Sequence, residues 1–170
     1  YVQPQDADAI RNDGFTNVIP IEEIKTIDGI SIYRTTGHLG FGQIGQMMGP
    51  VSGYVLKAEG FPTVYIMGDC RWEACIRDTV ERFNPDYIVV NSGGAIFPEF
   101  SKTDGPIIPD ENEVMQILDE LPSHIKLIAV HMDAIDHCQT TRAILRNEAT
   151  HHEADMSRLI IPEDGETVVL

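Results

Sequence analysis

Cysteine and basic residues are both scarce in this chain, and each scarcity narrows the class of protein. The three cysteines are an odd number with no Cys-x-x-Cys spacing, which suits reduced thiols in a cytoplasm better than a disulfide framework. Lys and Arg number 12 against 27 Asp and Glu, so the formal net charge is -15. Nucleic acids and anionic membranes are polyanions, and this charge disfavours both as partners. We therefore expect a cytoplasmic protein.

Long apolar runs are also missing. No run approaches membrane-spanning length, and the first residues, Tyr1 to Asp6, have neither the basic nor the apolar region of a signal peptide. An initiating Met is absent as well, so we expect a processed product or part of a longer protein. The hydrophobic content of 42% is ordinary, and 170 residues are enough for a single domain, residues 1–170, with a sizeable core.

One stretch organises the rest of the chain. Thr63 to Met67 is an uncharged run of β-branched, aromatic and apolar residues, as in a buried strand; it stops at Gly68, and Asp69 follows. Trp72 to Phe83 then has the apolar spacing of a helix. Ligands bind at the carboxyl ends of strands in α/β sheets, where a carboxylate can hold a metal ion. This stretch alone favours the alternative that Asp69 N-caps the following helix.

Apolar spacing and turn residues divide the whole chain into strands and helices. Asp110 is expected to cap the third helix, with Glu113 completing a capping box. The predicted helices are 6–13, 72–83, 111–121 and 138–149. The predicted strands are 17–21, 30–35, 52–58, 63–68, 86–91 and 125–130, with a strand pair in 158–170 and irregular loops at 36–50 and 97–109. A hairpin followed by strand–helix units predicts an α/β layered domain.

Polar side chains with metal-binding capacity follow three of the predicted strands. His38, Asp69 and His131 each come directly after an apolar run, and imidazole and carboxylate groups bind Zn²⁺, Mn²⁺ or Fe²⁺ well. A strand-end cap and two hydrogen-bonded core histidines are the alternative, and the residues alone leave both open. His137 lies six residues after His131, where it could line a substrate entrance, donate a proton or cap the next helix.

Five segments in order resemble the metallo-β-lactamase superfamily, in its branch of ascorbate-phosphate-lactonase-like, metal-dependent hydrolases. They are Gly-His38-Leu-Gly, Ser-Gly53-Tyr-Val-Leu, Thr-Val-Tyr-Ile-Met-Gly-Asp69, Pro85-Asp-Tyr-Ile-Val-Val-Asn-Ser-Gly-Gly and Ile-Ala-Val-His131-Met. The resemblance covers nearly the whole chain. It implies part of an αββα sandwich with two divalent metal ions, zinc or manganese, at one edge. By position, His38 would bind the first ion, Asp69 would bridge both, and His131 would bind the second.

The activity that this resemblance implies is metal-dependent hydrolysis of a small-molecule substrate. Metal-bound hydroxide would attack a lactone, phosphate ester or phosphodiester, with Asp69 and His137 as catalytic residues. The superfamily's His-x-His-x-Asp-His cluster is missing, since no histidine precedes His38. We therefore expect the C-terminal portion of a longer protein, inactive alone, that forms homo-oligomers or associates with its missing N-terminal half. The alternative is a non-catalytic acidic domain that retains the fold and binds a partner.

Overall fold

A seven-stranded sheet organises the fold in the computed structural model, which describes residues 1–99 and 104–170. Strand order in the sheet follows chain order from β1 to β7. The pairs from β1 to β4 are antiparallel, and those from β4 to β7 are parallel. The strands are β1 (Ile24–Ile27), β2 (Ile30–His38), β3 (Pro50–Lys57), β4 (Val64–Gly68), β5 (Tyr87–Asn91), β6 (Lys126–Val130) and β7 (Leu159–Ile160).

Helices connect the parallel strands, so the predicted α/β class and its order of a hairpin followed by strand–helix units are confirmed. None of the helices in the described ranges has the length and hydropathy needed to cross a bilayer. The helices are α1 (Ala7–Asn12), α2 (Gly42–Met48), α3 (Ala74–Phe83), α4 (Glu111–Glu120) and α5 (Arg142–His151).

The hydrophobic core lies on the sheet face that the helices cover. Tyr65 and Met67 on β4 and Ile88 and Val90 on β5 are fully buried, and they belong to one cluster with Ile76 of α3. These strand residues alternate with more exposed ones, as expected for a sheet with one well-covered face. The burial of this face fixes the register and thereby the position of each strand end.

The opposite face of the sheet is apolar but more open. Tyr54, Ile66, Val89 and Ile128 lie side by side across four strands. Ile66 at the centre of this row keeps 37% of its surface exposed, although Ile128 is buried. The two faces of the sheet therefore differ in how completely they are covered.

Two of the helical predictions need correction. The predicted loop at 36–50 contains α2, whose first turn is capped by Asp104: its carboxylate accepts the backbone N–H groups of Gln43 (2.9 Å) and Ile44 (3.3 Å). The helix predicted at 138–149 begins at 142, because the Thr141 hydroxyl accepts the N–H at the third helical position. The loop predicted at 97–109 is described except at 100–103, which lie outside the described residues.

The strand predictions are wrong at both ends of the chain. Residues 17–21 form a single bridge, to Val2, instead of a strand, whereas β1 was not predicted, because its residues are mostly exposed and show no alternation. No strand pair forms in 158–170: only the two residues of β7 pair, and they pair with β6. After β7, the Pro162 carbonyl accepts a hydrogen bond from Arg142 Nε (2.7 Å).

Candidate metal centre

Asp69 is set at the end of β4 by a change in backbone conformation. Gly68 has φ +68°, and the pairing with β5 shifts between Ile66 and Gly68, so the strand turns away just before the carboxylate. The Asn91 side-chain amide donates to Asp69 Oδ1 (2.6 Å), which leaves Oδ2 for a ligand. The N-cap alternative for Asp69 is wrong, because Glu73 is the residue that precedes α3.

His38 ends β2, and a carboxylate orients its ring. The His38 backbone N–H donates to Glu73 Oε1 (2.9 Å), and His38 Nδ1 lies 2.8 Å from the same oxygen. Because a carboxylate only accepts hydrogen bonds, this contact puts a proton on Nδ1. Nε2 is then the nitrogen with a free lone pair, as in metal-binding histidines whose other nitrogen donates to a carboxylate.

His38, Glu73 and Cys75 form a group whose ligand atoms all lie within 4.8 Å of one another, the one such group among the described residues. Glu73 and Cys75 both have hydrogen-bond partners in the protein. Glu73 Oε1 accepts two hydrogen bonds from His38, and Glu73 therefore orients the ring. Burial, followed by the charge of Glu73, raises the pKa of Cys75 to about 11, and its thiol donates to the Thr36 carbonyl of β2 (3.4 Å).

A buried ion pair anchors the segment between Asp69 and Glu73. The Arg71 backbone N–H donates to the His38 carbonyl (3.1 Å), and its Nε donates to Glu113 Oε2 (2.6 Å). The two side chains are 13% and 8% exposed. Glu113 Oε1 also accepts the Trp72 backbone N–H (2.6 Å). The ion pair therefore fixes the backbone segment that carries Asp69 and that donates a hydrogen bond to His38.

The capping-box prediction for Glu113 is half right. The Asp110 carboxylate accepts the Glu113 backbone N–H (2.9 Å), so Asp110 is the predicted cap. The Glu113 carboxylate does not return to Asp110, because Arg71 and the Trp72 N–H take up its two oxygens. A buried cation offers this carboxylate a stronger partner than the first turn of its own helix.

His131 follows β6 in an unusual backbone conformation. Its φ is +63°, a region that few non-glycine residues adopt. His131 Nδ1 lies 3.8 Å from Cys138 Sγ. Burial, followed by the charges of Asp69 and Asp136, raises the pKa of the Cys138 thiol, so the sulfur keeps its proton at neutral pH. Donation from His131 Nδ1–H to this sulfur, a weak acceptor, is the arrangement that leaves Nε2 with a lone pair for a metal ion.

The loop after His131 is held by Arg142. Asp133 also has φ +63°, and its Oδ2 accepts hydrogen bonds from Arg142 Nη1 (2.8 Å) and from the Arg142 backbone N–H (3.1 Å). The Arg142 side chain is 12% exposed. Two left-handed residues within three positions are costly, and these contacts stabilise the loop that presents His131.

The sheet topology places His38, Asp69 and His131 at the same end of the sheet, where β2, β4 and β6 finish. The two antiparallel pairings from β2 through β3 to β4 make β2 and β4 run the same way, and β4, β5 and β6 are parallel. Strands lie about 4.8 Å apart, so β4 is about 10 Å from both β2 and β6. Asp69 is therefore central, and the two histidines lie on opposite sides of it. The metal-binding roles of the three residues stay a prediction.

His137 packs against the loop that follows β5. Its ring stacks on Phe97 with centroids 5.3 Å apart, and its Nδ1 lies 3.5 Å from Asp136 Oδ1. The helix-cap alternative for His137 is wrong, because Thr141 caps α5. Its catalytic role stays a prediction.

Sequence reasoning missed the residues that support the site. Asn91 carried a usable signal, since it ends a buried strand as a polar residue, just as the predicted ligands do. Glu73 and Arg71 carried no such signal in the sequence. Their partners lie 35 and 42 residues away along the chain, and only the fold brings these pairs together.

Solved structures with the same arrangement of strands and helices include two that are named as hydrolases. The possible metal-dependent hydrolase from Veillonella parvula DSM 2008 superposes with TM-score 0.89 at 30% identity, covering 99% of this chain and 64% of that one. Isothiocyanate hydrolase from Delia radicum gut bacteria gives TM-score 0.86 at 33% identity, with coverages of 97% and 65%. The metallo-β-lactamase fold protein YhfI from Bacillus subtilis, at TM-score 0.58 and 15% identity, covers 93% of this chain and 60% of that one. This chain has a metallo-β-lactamase fold.

A relative found by sequence has a name that gives neither a fold nor an activity. UPF0173 protein YddR from Bacillus subtilis (strain 168) is 31% identical over 170 residues, which are 98% of this chain and 64% of that protein. No family model matches the chain. The chain spans just under two thirds of YddR and of isothiocyanate hydrolase, 64% and 65%. The resemblance to metallo-hydrolases is thus supported, while the lactonase-like branch stays a prediction.

Proposed function

We propose that the protein is a metal-dependent hydrolase to whose centre His38, Asp69 and His131 contribute ligands. The observation that carries this proposal is the pairing of His38 Nδ1 with Glu73 Oε1 at 2.8 Å. It fixes the ring in the tautomer that a metal ligand needs. Two neighbours at 30% identity or more are named as hydrolases, which supports the same reading.

The residues present suit two divalent ions, zinc or manganese. Two imidazole nitrogens and one carboxylate oxygen remain available, a donor set that borderline and hard divalent ions accept. Asp69 stands between the histidines, so its carboxylate suits a position between the two ions. The remaining ligands would come from a His-x-His-x-Asp-His cluster outside these 170 residues. Metal ions bound here would lower the pKa of a coordinated water and polarise the scissile group.

The chain's own residues have separate tasks in this proposal. Glu73 holds the His38 ring, and Asn91 holds Asp69 through the 2.6 Å contact to Oδ1. His137 donates a proton to the leaving group. The substrate is a lactone, a phosphate ester or diester, or an isothiocyanate, as for the named neighbour. The net charge of -15 disfavours the anionic phosphates among these.

The test replaces Asp69 by Ala in the full-length protein and compares it with Asp86→Ala. Asp86 is a matched control, because its carboxylate also accepts a hydrogen bond, from the Thr63 backbone N–H (2.7 Å), but Asp86 precedes β5 and so lies at the opposite end of the strands. We expect Asp69→Ala to lose bound metal, measured by mass spectrometry. Hydrolysis should fall by at least about 100-fold, the upper figure for the partners of metal ligands. Unchanged metal content and hydrolysis in Asp69→Ala would refute the proposal.

A further inference from the structure

A cavity of about 480 Å³ opens beside His38. Its walls are Phe41, Gln46, Pro50 and four glycines, and His38 and Glu73 border it. We call this cavity the His38 pocket. Its volume falls within the range of small-molecule sites.

Two of the glycines allow the backbone around the pocket to pack closely. A Cβ atom on Gly45 would lie 2.5 Å from the Gly40 carbonyl oxygen, and Gly40 itself has φ +76°. Neither position tolerates a larger residue without a shift of the backbone. The backbone of α2 and of the turn before it therefore forms part of the pocket wall.

Among the described residues, the His38 pocket has no cationic side chain that could hold a charged substituent of the substrate. No Lys or Arg of residues 1–99 and 104–170 lines it, and the Arg71 guanidinium, 4.8 Å from the centre of the Phe41 ring, is paired with Glu113. Glu73 adds a carboxylate at the border. An anionic substituent would be buried here without a partner, which costs free energy, whereas an uncharged substituent carries no such cost.

We propose that the His38 pocket binds the uncharged organic substituent of the substrate, with the reacting atom placed between His38 and Asp69. This inference rests on the proposed function and narrows its substrate class to compounds with an uncharged, apolar substituent, such as lactones or isothiocyanates.

The experiment narrows the pocket with Gln46→Trp in the full-length protein. Met47→Trp is the matched control, because Met47 is the next residue of α2, is 63% exposed and does not line the pocket. Hydrolysis is measured with methyl and phenethyl isothiocyanate, a small lactone and p-nitrophenyl phosphate. Binding of phenethylurea, a neutral analogue, is measured by saturation-transfer NMR after metal removal.

We expect Gln46→Trp to lower kcat/KM about 10-fold for the phenethyl compound and hardly at all for the methyl one. Met47→Trp should match the unmodified protein with both. Gln46→Ala widens the pocket and should shift the preference toward the larger substituent, which covers the case that the Trp variant does not fold.

Two results would overturn the pocket while hydrolysis stands. One is equal selectivity in the Gln46→Trp and Met47→Trp variants, and the other is an unchanged preference between the methyl and phenethyl compounds in the Gln46→Ala variant. Absence of all hydrolysis would count against the proposed function alone. Phenethylurea binding that Gln46→Trp abolishes would then still support the pocket, and binding that it leaves intact would refute it.

Discussion

Replacing Glu113 by Ala should be one of the most damaging single changes to this fold. Its carboxylate is the partner of the Arg71 guanidinium, and both side chains are nearly buried, at 13% and 8% exposure. It also accepts the Trp72 backbone N–H at 2.6 Å. Truncation leaves a buried cation and a buried N–H group without these acceptors.

The expected loss follows from these contacts. Removing one member of a buried ion pair costs about 3–5 kcal/mol, and we expect about 4 kcal/mol for Glu113→Ala. At a urea m-value of about 2 kcal/mol/M, the midpoint falls by about 2 M. The double variant Arg71→Met, Glu113→Met removes both charges and leaves the Trp72 N–H and the Pro106 carbonyl without these partners. It should lose about 1–3 kcal/mol, less than the single variant.

Urea unfolding of the purified protein, followed by circular dichroism, measures these differences. Glu120→Ala is the control on the same helix, since Glu120 pairs with Arg77 at the surface, where both are more than a third exposed. It should cost about 1 kcal/mol or less. A Glu113→Ala loss as small as that of Glu120→Ala, or a double variant less stable than the single one, would refute this reasoning.

Two further predictions concern close packing and acid stability. A Cβ atom on Gly37 would lie 2.4 Å from Cys70 Sγ, so Gly37→Ala should cost about 1–3 kcal/mol in thermal unfolding. Cys70→Ala should restore part of that loss, and simple additivity of the two changes would count against the contact. Hydrogen bonds from Arg77, Gln116 and Trp72 lower the pKa of Glu120 to about 2 from 4.5. The stability that these hydrogen bonds add is present above pH 4.5 and is lost as pH falls toward 2. Glu120→Gln should therefore cost about 1 kcal/mol or less at pH 7 and less at pH 3. An equal cost at both pH values would contradict this prediction.

The elements that bury a regular stripe could be predicted from sequence. β4, β5, β6, α3 and α4 were found within a few residues of their bounds, because burial on one face imposes a period of two or near 3.6. α2 could not be found in this way, since its first turn is capped by Asp104, 61 residues from Gln43. β1 is mostly exposed and so has no such period.

The candidate site divides in the same way. His38, Asp69 and His131 follow apolar runs, and that local pattern was enough to place them at strand ends. The groups that orient them were hidden, because Glu73 and Glu113 meet their partners only through the fold. The end of a strand can be predicted from the sequence. The hydrogen bonds that orient the side chain at that end come from segments far away along the chain and cannot.

The strand order of the sheet also bears on how the protein is made. Each strand pairs with the one before it in the chain, from β1 to β7. During synthesis, every new strand therefore emerges after its pairing partner, and no early strand has to wait for a distant one. Since local pairings close faster than distant ones, the sheet can grow in one direction behind the ribosome, with β7 added last.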